Sequence, residues 1–222
     1  MENETPDPAE TCCLPVFPLP TAVLFPGIVI PLHVDEPCYC QMVEDALAED
    51  RVLGVAMIRA DTAQTEQTPL YEVAGAGQII HAEKLEGGDY NILVQGLDRV
   101  RLVEELPPER GYRRFRVEII PKPSADETDA AKDELLRLER CVMNLVTSLG
   151  ETDQQLVEVL RSTEDPVQLS EFLAATVVQD VETQQELLQT LDLRARLAKL
   201  IDVLVEVLGR SNGAPAGDRD LN

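Results

Sequence analysis

Residues 14–37 read LPVFPLPTAVLFPGIVIPLHVDEP, and this stretch decides the fold. Two short apolar runs, Leu14–Leu19 and Ile28–Val34, lie on either side of a break at Phe25-Pro26-Gly27. Apolar runs of this length between prolines and glycines are typical of β-strands. Pro37 is then placed to open a helix, because a proline at the first helical position loses no hydrogen bond. The stretch therefore predicts two strands followed by a helix.

Strand-like runs continue to residue 119. The sequence Glu86-Gly87-Gly88-Asp89 predicts a hairpin turn between two of them, because glycine readily adopts the positive φ that a tight turn requires. The runs that begin at Arg99 and Arg114 alternate basic and apolar residues, which indicates strands with one face in water. At least six strands and one helix predict a small barrel or two packed, curled sheets. The additional predicted strands are Val52–Ile58, Val73–Ala82, Tyr90–Gln95, Arg99–Val103 and Arg114–Ile119.

Residue usage changes sharply near residue 123. Most of the prolines and aromatic residues precede it, and between Ser124 and Ala214 the only proline is Pro166. Apolar residues then recur every three or four positions, which is the spacing of one buried helix stripe. The second part is therefore predicted to be an all-helical bundle, with Asp165 capping a helix that opens at Pro166. The predicted stripe of one helix is Leu135, Leu138, Val142, Leu145 and Leu149.

These patterns divide the chain into four segments. Residues 1–11 are predicted to be a disordered acidic tail, and residues 12–123 a β-rich subdomain with one helix. Residues 124–208 form the predicted helical subdomain, whose last helix ends at Gly209. Residues 209–222 are predicted to be a second disordered tail. The expected fold class is α+β.

Charge excludes one class of partner. The chain has 19 Lys and Arg against 41 Asp and Glu, for a net charge of −22. Binding a phosphate backbone requires cations that displace its counterions, so we expect no nucleic-acid partner. We expect no membrane partner either, because no apolar stretch reaches the roughly 18 residues of a spanning helix. Five cysteines without a secretory signal indicate free thiols in a reducing compartment, and therefore a cytoplasmic location.

The order of several short motifs resembles a known family. Leu14–Leu19, Leu24-Phe25-Pro26-Gly27, Ile30–His33 and Glu36-Pro37 resemble the start of the LON substrate-binding domain, the N-terminal domain of Lon proteases. Asp165–Leu169 resembles the helical half of the same domain, so the resemblance covers about residues 13–208. It implies a PUA-like β pseudo-barrel with one helix, followed by an all-helical bundle.

Lon proteases continue into an ATPase and a Ser-Lys peptidase, and the resemblance does not extend to either. The chain has no Gly-Lys dipeptide with which a phosphate-binding Walker loop could be drawn, and no matching peptidase segment. We therefore expect a standalone domain that is not an enzyme and binds no cofactor. Cys38 and Cys40 stand where related domains usually carry arginines.

Four cysteines are the candidate metal ligands. Cys12, Cys13, Cys38 and Cys40 could together ligate a tetrahedral Zn²⁺, because thiolates are soft anionic donors. Their spacing differs from the usual two-residue knuckle, and ordinary free thiols are the alternative interpretation. A nucleophile pair of Cys38 with His33 would make the protein a metal- or small-ligand-binding enzyme, although no recognised motif supplies the required geometry.

Two clusters of charged residues have functional and structural interpretations. Arg113, Arg114 and Arg116 alternate with aromatic residues, which could serve RNA binding in a PUA-like fold or simply form a solvated strand face. Adjacent acidic residues such as Glu44 and Asp45 are expected to be solvated.

The resemblance implies that the domain binds protein, as either unfolded, apolar segments or a dedicated partner protein. The resemblance does not indicate an oligomeric state. The candidate binding residues surround a turn where sheet pairing does not cover bulky apolar groups, and exposed apolar patches tend to be binding sites. The alternative is that Phe25 and Ile28 plug the end of the barrel. The candidate residues are Leu24, Phe25, Pro26, Gly27 and Ile28.

Overall fold

The computed structural model describes residues 11–59, 68–107, 110–149, 158–159, 162–163 and 165–213. The chain forms two compact units, of which the first runs to Lys122 and also includes Asp180–Gln189. The second comprises Pro123–Gln179 and the chain from Thr190 onward. Among the described residues, no helix combines the length and the apolar character that crossing a membrane would require.

The first unit is a curled sheet with two helices. Its strands are β1 (Thr11–Leu19), β2 (Val29–Val34), β3 (Val52–Met57), β4 (Val73–Lys84), β5 (Tyr90–Glu105) and β6 (Arg114–Ile120). Helix α1 (Pro37–Ala48) lies between β2 and β3 in the chain, with Pro37 in its first turn as predicted. The second unit contains α2 (Ala125–Ala130), α3 (Lys132–Leu149) and α4 (Pro166–Thr176). The remaining helices are α5 (Val181–Gln189), which belongs to the first unit, and α6 (Leu193–Gly213).

The six strands follow the order β2-β5-β4-β3-β1-β6, and β5 also pairs with β6. This additional pairing closes the sheet on itself, which agrees with the predicted small barrel. The β4–β5 hairpin turns at Leu85–Asp89 as predicted, with Gly88 at φ +96°. Strand β5 is one strand of 16 residues, where the sequence predicts two strands, Tyr90–Gln95 and Arg99–Val103. Its first half pairs with β2 and its second half with β6.

The core of the first unit lies between the inner face of the sheet and α1. Met42, Val43 and Ala46 of α1 are buried against apolar residues that alternate along the strands. One expectation for β5 was wrong, because Arg99 is only 7% exposed although its strand was predicted to turn its basic residues to water. The largest fully buried side chains in this unit are Leu24, Phe25, Met42, Leu53, Ile79 and Ile92 of the barrel and Leu187 and Leu188 of α5.

The second unit buries the stripe that the sequence predicts on α3. Leu135, Leu138, Val142 and Leu145 are all buried, and the side chain of Leu149 lies outside the described residues. Further support comes from an ion pair between Arg196 of α6 and Glu171 of α4, at 3.4 Å, whose side chains are both nearly inaccessible. The predicted cap at the start of α4 is confirmed, since the Asp165 carboxylate accepts a hydrogen bond from the Val167 backbone N–H at 2.8 Å.

Two boundaries differ from the sequence-based ones. The last helix continues to Gly213 instead of ending at Gly209, because a glycine within a helix lowers its stability without terminating it. Residues 180–189 belong to the first unit, although the whole segment 124–208 was predicted to be one helical subdomain. Thr11 is already part of β1, whereas residues 1–10 and 214–222 of the two predicted tails lie outside the described residues.

Candidate functional site

Two of the five predicted binding residues are in the core. Leu24 and Phe25 are both 0% exposed, so the expectation that their side chains form a binding surface is wrong. The barrel-plug alternative, which was made for Phe25 and Ile28, describes Phe25, whereas Ile28 is half-buried. The backbone of Leu24 and Phe25 passes directly over two strands. A Cβ added at Gly75 would lie 2.1 Å from the Leu24 carbonyl oxygen, and one at Gly96 would lie 2.1 Å from that of Phe25. Only glycine permits this approach, which brings Leu24 and Phe25 into the core.

The other three predicted residues lead into β2. Pro26 and Ile28 are half-buried, and Gly27 is exposed with φ +79°. The Gly27 N–H donates to the Gly96 carbonyl oxygen, and the Gly96 N–H donates to that of Ile28, both at 2.8 Å. These bonds fix the turn against β5, so that the residues after it enter the sheet in a defined register.

The three strands β2, β5 and β4 present a face that is opposite to the core and α1. Residues in register alternate between the two sides of these strands, as expected for a sheet, with one irregularity at a β4 bulge between Ile79 and His81. We call the side away from the core the outer face, and its residues form three rows across the strands. The rows are Val29, Gln95 and Gln78; Pro31, Leu93 and His81; and His33, Asn91 and Glu83.

A groove of about 370 Å³ lies along the second and third rows. Its apolar lining residues are Pro31, Leu32, Ile92 and Leu93, of which Pro31 and Leu93 belong to the outer face. His33, His81 and Asn91 complete the lining. His33 Nδ1 lies 2.9 Å from Asn91 Oδ1, in the exposed part of the site. The chain's two histidines therefore lie on the same groove, a proximity that their spacing of 48 positions in the sequence does not suggest.

Sequence reasoning missed the outer face, although one signal was present. Residues 28–32 read IVIPL and are apolar at both alternating sets of positions, whereas a strand with one solvated face should alternate. The inner set is accounted for by the core. The outer set includes Val29, which is 43% exposed, and Ile80 at the neighbouring β4 bulge is equally exposed.

Acidic residues follow or pair with the residues at one end of the groove. Asp35 and Glu36 follow β2 directly, and Glu83 lies in the third row of the outer face; all three are exposed. The nearest lysine in the sequence, Lys84, directs its ammonium group to Glu44 of α1 at 2.6 Å. This end of the groove is therefore negatively charged.

The acidic pair on α1 has a structural role instead of being simply solvated, as was expected. Tyr112 donates its hydroxyl hydrogen to Asp45 at 2.8 Å, and Tyr90 donates to Glu44 at 3.0 Å. The Tyr112 hydroxyl is the main group that holds the pKa of Asp45 below its ordinary value, and Lys84 is the main one for Glu44. These contacts attach α1 to the barrel.

Two arginines of the predicted basic cluster, Arg113 and Arg116, form ion pairs with glutamates. Arg113 makes a bidentate pair with Glu105, with both nitrogen–oxygen distances at 2.8 Å, and Arg116 pairs with Glu104 at 2.6 Å. The Arg113 guanidinium also lies over the Phe115 ring, 5.3 Å from its centroid. Cations that are already paired have less charge to offer a phosphate, so the strand-face interpretation describes this cluster better than RNA binding.

All five cysteines are free thiols. Cys12 and Cys13 are exposed on β1, whereas Cys38 and Cys40 are half-buried on α1. The Cys40 thiol donates a hydrogen bond to the Val34 carbonyl oxygen at 3.4 Å. The pKa of this thiol is raised, and burial is the main cause. Within the described parts of the chain, no three side chains of the metal-binding types cluster as ligands.

Comparison with known proteins agrees with this architecture. The N-terminal domain of a Mycobacterium avium complex Lon protease superposes with a TM-score of 0.70, at 19% identity over 88% of this chain and 99% of that one. The Lon N-terminal domain protein from Xanthomonas campestris superposes with a TM-score of 0.62, at 22% identity over 86% of this chain and 98% of that one. These likenesses show a shared α+β fold.

The relatives found by sequence are also Lon proteases. Lon protease 2 of Myxococcus xanthus is 30% identical over 203 residues, which are 90% of this chain and 24% of the relative. The Lon protease of Anaeromyxobacter dehalogenans is 32% identical over 206 residues, with the same coverages. The chain thus spans about a quarter of the length of the curated relatives it matches. Residues 13–206 match the model of the ATP-dependent protease La (LON) substrate-binding domain, and the chain belongs to that family.

Proposed function

We propose that this domain recognises other proteins by binding extended, partly apolar segments on the outer face of β2, β5 and β4. The observation that carries the proposal is the groove of about 370 Å³ on the outer face, whose lining residues all come from β2, β4 and β5. Val29 and Ile80 expose apolar surface beside it. Exposed apolar surface with a polar rim is the usual character of a protein-binding site. The family's description as a substrate-binding domain supports the same role.

The segment is expected to lie across the face of the sheet and not to extend its edge. Strand β2 is the last strand on its side of the sheet order, so its outer edge is unpaired among the described residues. However, Pro31 lies in the middle of β2 and has no N–H to offer an added strand. A proline at this position is one way in which proteins protect an edge strand from pairing. The apolar face is therefore the better contact surface.

Substitutions on the outer face test the proposal. Leu93→Ser and Val29→Ser should each weaken binding to a reduced, alkylated model protein, because each removes apolar contact area. The matched control is Val103→Ser on β5, since Val103 is 49% exposed and is not one of the nine residues of the outer face. Affinity can be measured by fluorescence anisotropy and stability by thermal unfolding. Equal binding by all variants, or no binding by the wild-type domain, would show that this face is not the recognition surface.

Ile28→Ser provides a second test at the turn that leads into β2. Ile28 is half-buried and is the last of the residues predicted from the sequence as a binding site. Its substitution should weaken binding less than Leu93→Ser, because Ile28 lies outside the groove. A larger effect of Ile28→Ser at unchanged stability would move the site to the turn.

A further inference from the structure

One hydrogen bond determines which groups the groove offers to a ligand. The side-chain oxygen of Asn91 can only accept a hydrogen bond, so its distance of 2.9 Å from His33 Nδ1 favours the tautomer in which Nδ1 carries the proton. In a neutral imidazole the other nitrogen is then unprotonated. In this neutral tautomer His33 presents its Nε2 atom as an acceptor on an exposed ring at the border of the groove. An acceptor favours a ligand group that donates hydrogen bonds.

The charges at this end of the groove favour the same kind of ligand group. Asp35, Glu36 and Glu83 are exposed carboxylates, and residues 28–36 contain no lysine or arginine. Lys84, the next residue after Glu83, pairs with Glu44. A positively charged side chain at the groove would thus meet an acceptor and several carboxylates without a competing cation among these residues.

We infer that the groove selects segments in which a basic side chain is next to an apolar one. The apolar neighbour contacts Pro31 and Leu93, and the Lys or Arg lies in the third row beside His33 and Glu83. This inference rests on the proposed function and adds the chemistry of the segment that is bound. Such a pairing gives the domain a preference among unfolded chains, which all expose apolar residues but differ in the charges beside them.

A second copy of this chain does not fit the same requirement. In a symmetric dimer the outer face would meet its own copy. None of the nine residues of the outer face is a lysine or arginine, so the copy would supply no cation to the acidic end. In addition, each copy has a net charge of −22, which opposes association.

Peptides that differ at one position test the inference. Three unstructured 12-residue peptides would share an apolar centre and carry Lys, Gln or Glu at the adjacent position, and their affinities would be measured by fluorescence anisotropy. We expect the Lys peptide to bind about tenfold more tightly than the Glu peptide at low salt. The Gln peptide should lie between them. The preference should decrease as salt rises, because exposed charges are screened.

Variants of the domain assign the preference to named groups. Asp35→Asn combined with Glu83→Gln should reduce the Lys preference about threefold, and Glu36→Gln is a further option because Glu36 makes no side-chain capping bond to α1. His33→Phe keeps an aromatic ring but removes the acceptor, so it should weaken the Lys peptide more than the Gln peptide. The control is Glu139→Gln on α3 in the second unit, which neutralises an exposed carboxylate far along the chain from the groove and should leave the preference unchanged.

The outcomes distinguish the inference from the proposed function. If Lys and Glu peptides bind equally while Leu93→Ser weakens both, the inference is wrong and the proposed function stands. If no peptide and no unfolded protein binds, both are wrong. If Leu93→Ser changes the sedimentation of the domain instead of peptide binding, the face is an interface between copies, and this overturns the inference.

Discussion

Arg99 on β5 donates a hydrogen bond from its Nε atom to the backbone carbonyl oxygen of Leu188, 2.9 Å away and 89 positions later in the chain. Leu188 lies at the end of α5, where backbone carbonyls have no partner within the helix. Gln185 of the same helix donates to the Val73 carbonyl oxygen of β4, also at 2.9 Å. These two bonds connect α5 to the barrel and explain why residues 180–189 belong to the first unit.

Substitution of Arg99 should destabilise this unit. Arg99→Met keeps an apolar stem but leaves the Leu188 carbonyl without this donor, so we expect a loss of about 1–3 kcal/mol in the free energy of unfolding, measured by urea denaturation. The control is Arg101→Met two positions away, because the Arg101 side chain is 40% exposed and lies 3.8 Å from Glu72. Similar losses in the two variants would contradict a specific role for the bond to Leu188.

A methyl group at Gly96 should disrupt the core. In Gly96→Ala the new Cβ would lie 2.1 Å from the Phe25 carbonyl oxygen, so the segment that buries Leu24 and Phe25 must move. We expect a loss of several kcal/mol or failure to fold, measured by thermal unfolding. Gly87→Ala is the control, because the nearest atom to its new Cβ is 3.6 Å away. A Gly96→Ala variant as stable as wild type would show that this close approach does not occur.

Truncation of two residues on α3 should change the stability of the second unit by different amounts. Leu145 is buried and Met143 is 69% exposed on the same helix. Leu145→Ala should lower the free energy of unfolding by about 2–5 kcal/mol, because it leaves a cavity. Met143→Ala should change it by no more than about 0.5 kcal/mol. Denaturant titration of both variants measures the difference, and equal effects would show that α3 packs through another face.

The hydrogen bond from Tyr112 to Asp45 predicts a pH dependence. The pKa of Asp45 is lowered in the folded state, mainly by this bond, so its contribution to stability is present above the ordinary carboxyl pKa of about 4. The contribution is lost as the pH falls through the lower folded pKa. Tyr112→Phe should therefore be roughly 1 kcal/mol less stable than wild type at pH 7, and the difference should shrink below pH 4.

The control for this pH series is Tyr71→Phe. Within the described residues, the ring of Tyr71 contacts the Arg59 guanidinium at 5.7 Å, and the structure records no carboxylate bonded to its hydroxyl. Its effect on stability should not follow the titration of a carboxyl group. A Tyr112→Phe difference that stays constant down to pH 2 would contradict the assigned bond.

The thiols should react in two classes. Cys12 and Cys13 are exposed, whereas burial raises the pKa of both Cys40 and Cys141. Because the thiolate is the reactive form, the exposed pair should react quickly with a disulfide reagent at pH 8, and the half-buried Cys40 and Cys141 should react more slowly. Unfolding without reductant should make all five thiols reactive. Fewer than five reactive thiols, or zinc that remains through purification, would contradict the free-thiol interpretation.

Local patterns in the sequence were sufficient for most elements of this fold. Pro37 at the start of α1, the glycines of the β4–β5 turn and the apolar stripe of α3 each depend on neighbours a few positions away. Such short-range requirements are visible in a single sequence. The resemblance to the LON substrate-binding domain likewise depends on the order of local motifs, and residues 13–206 confirm it.

The position of α5 and the composition of the candidate site were decided only by the tertiary structure. The sequence of residues 180–189 predicts a helix but not that Arg99 and Val73 are its partners, because those contacts join residues about 90 and 110 positions apart. Phe25 could equally have been exposed or buried until Gly75 and Gly96 proved to lie beneath its segment. The groove is formed in the same way, since β5 brings His33 and His81 to one face by pairing with β2 on one side and β4 on the other. Strand register, a property of the whole sheet, therefore determines which distant side chains meet there.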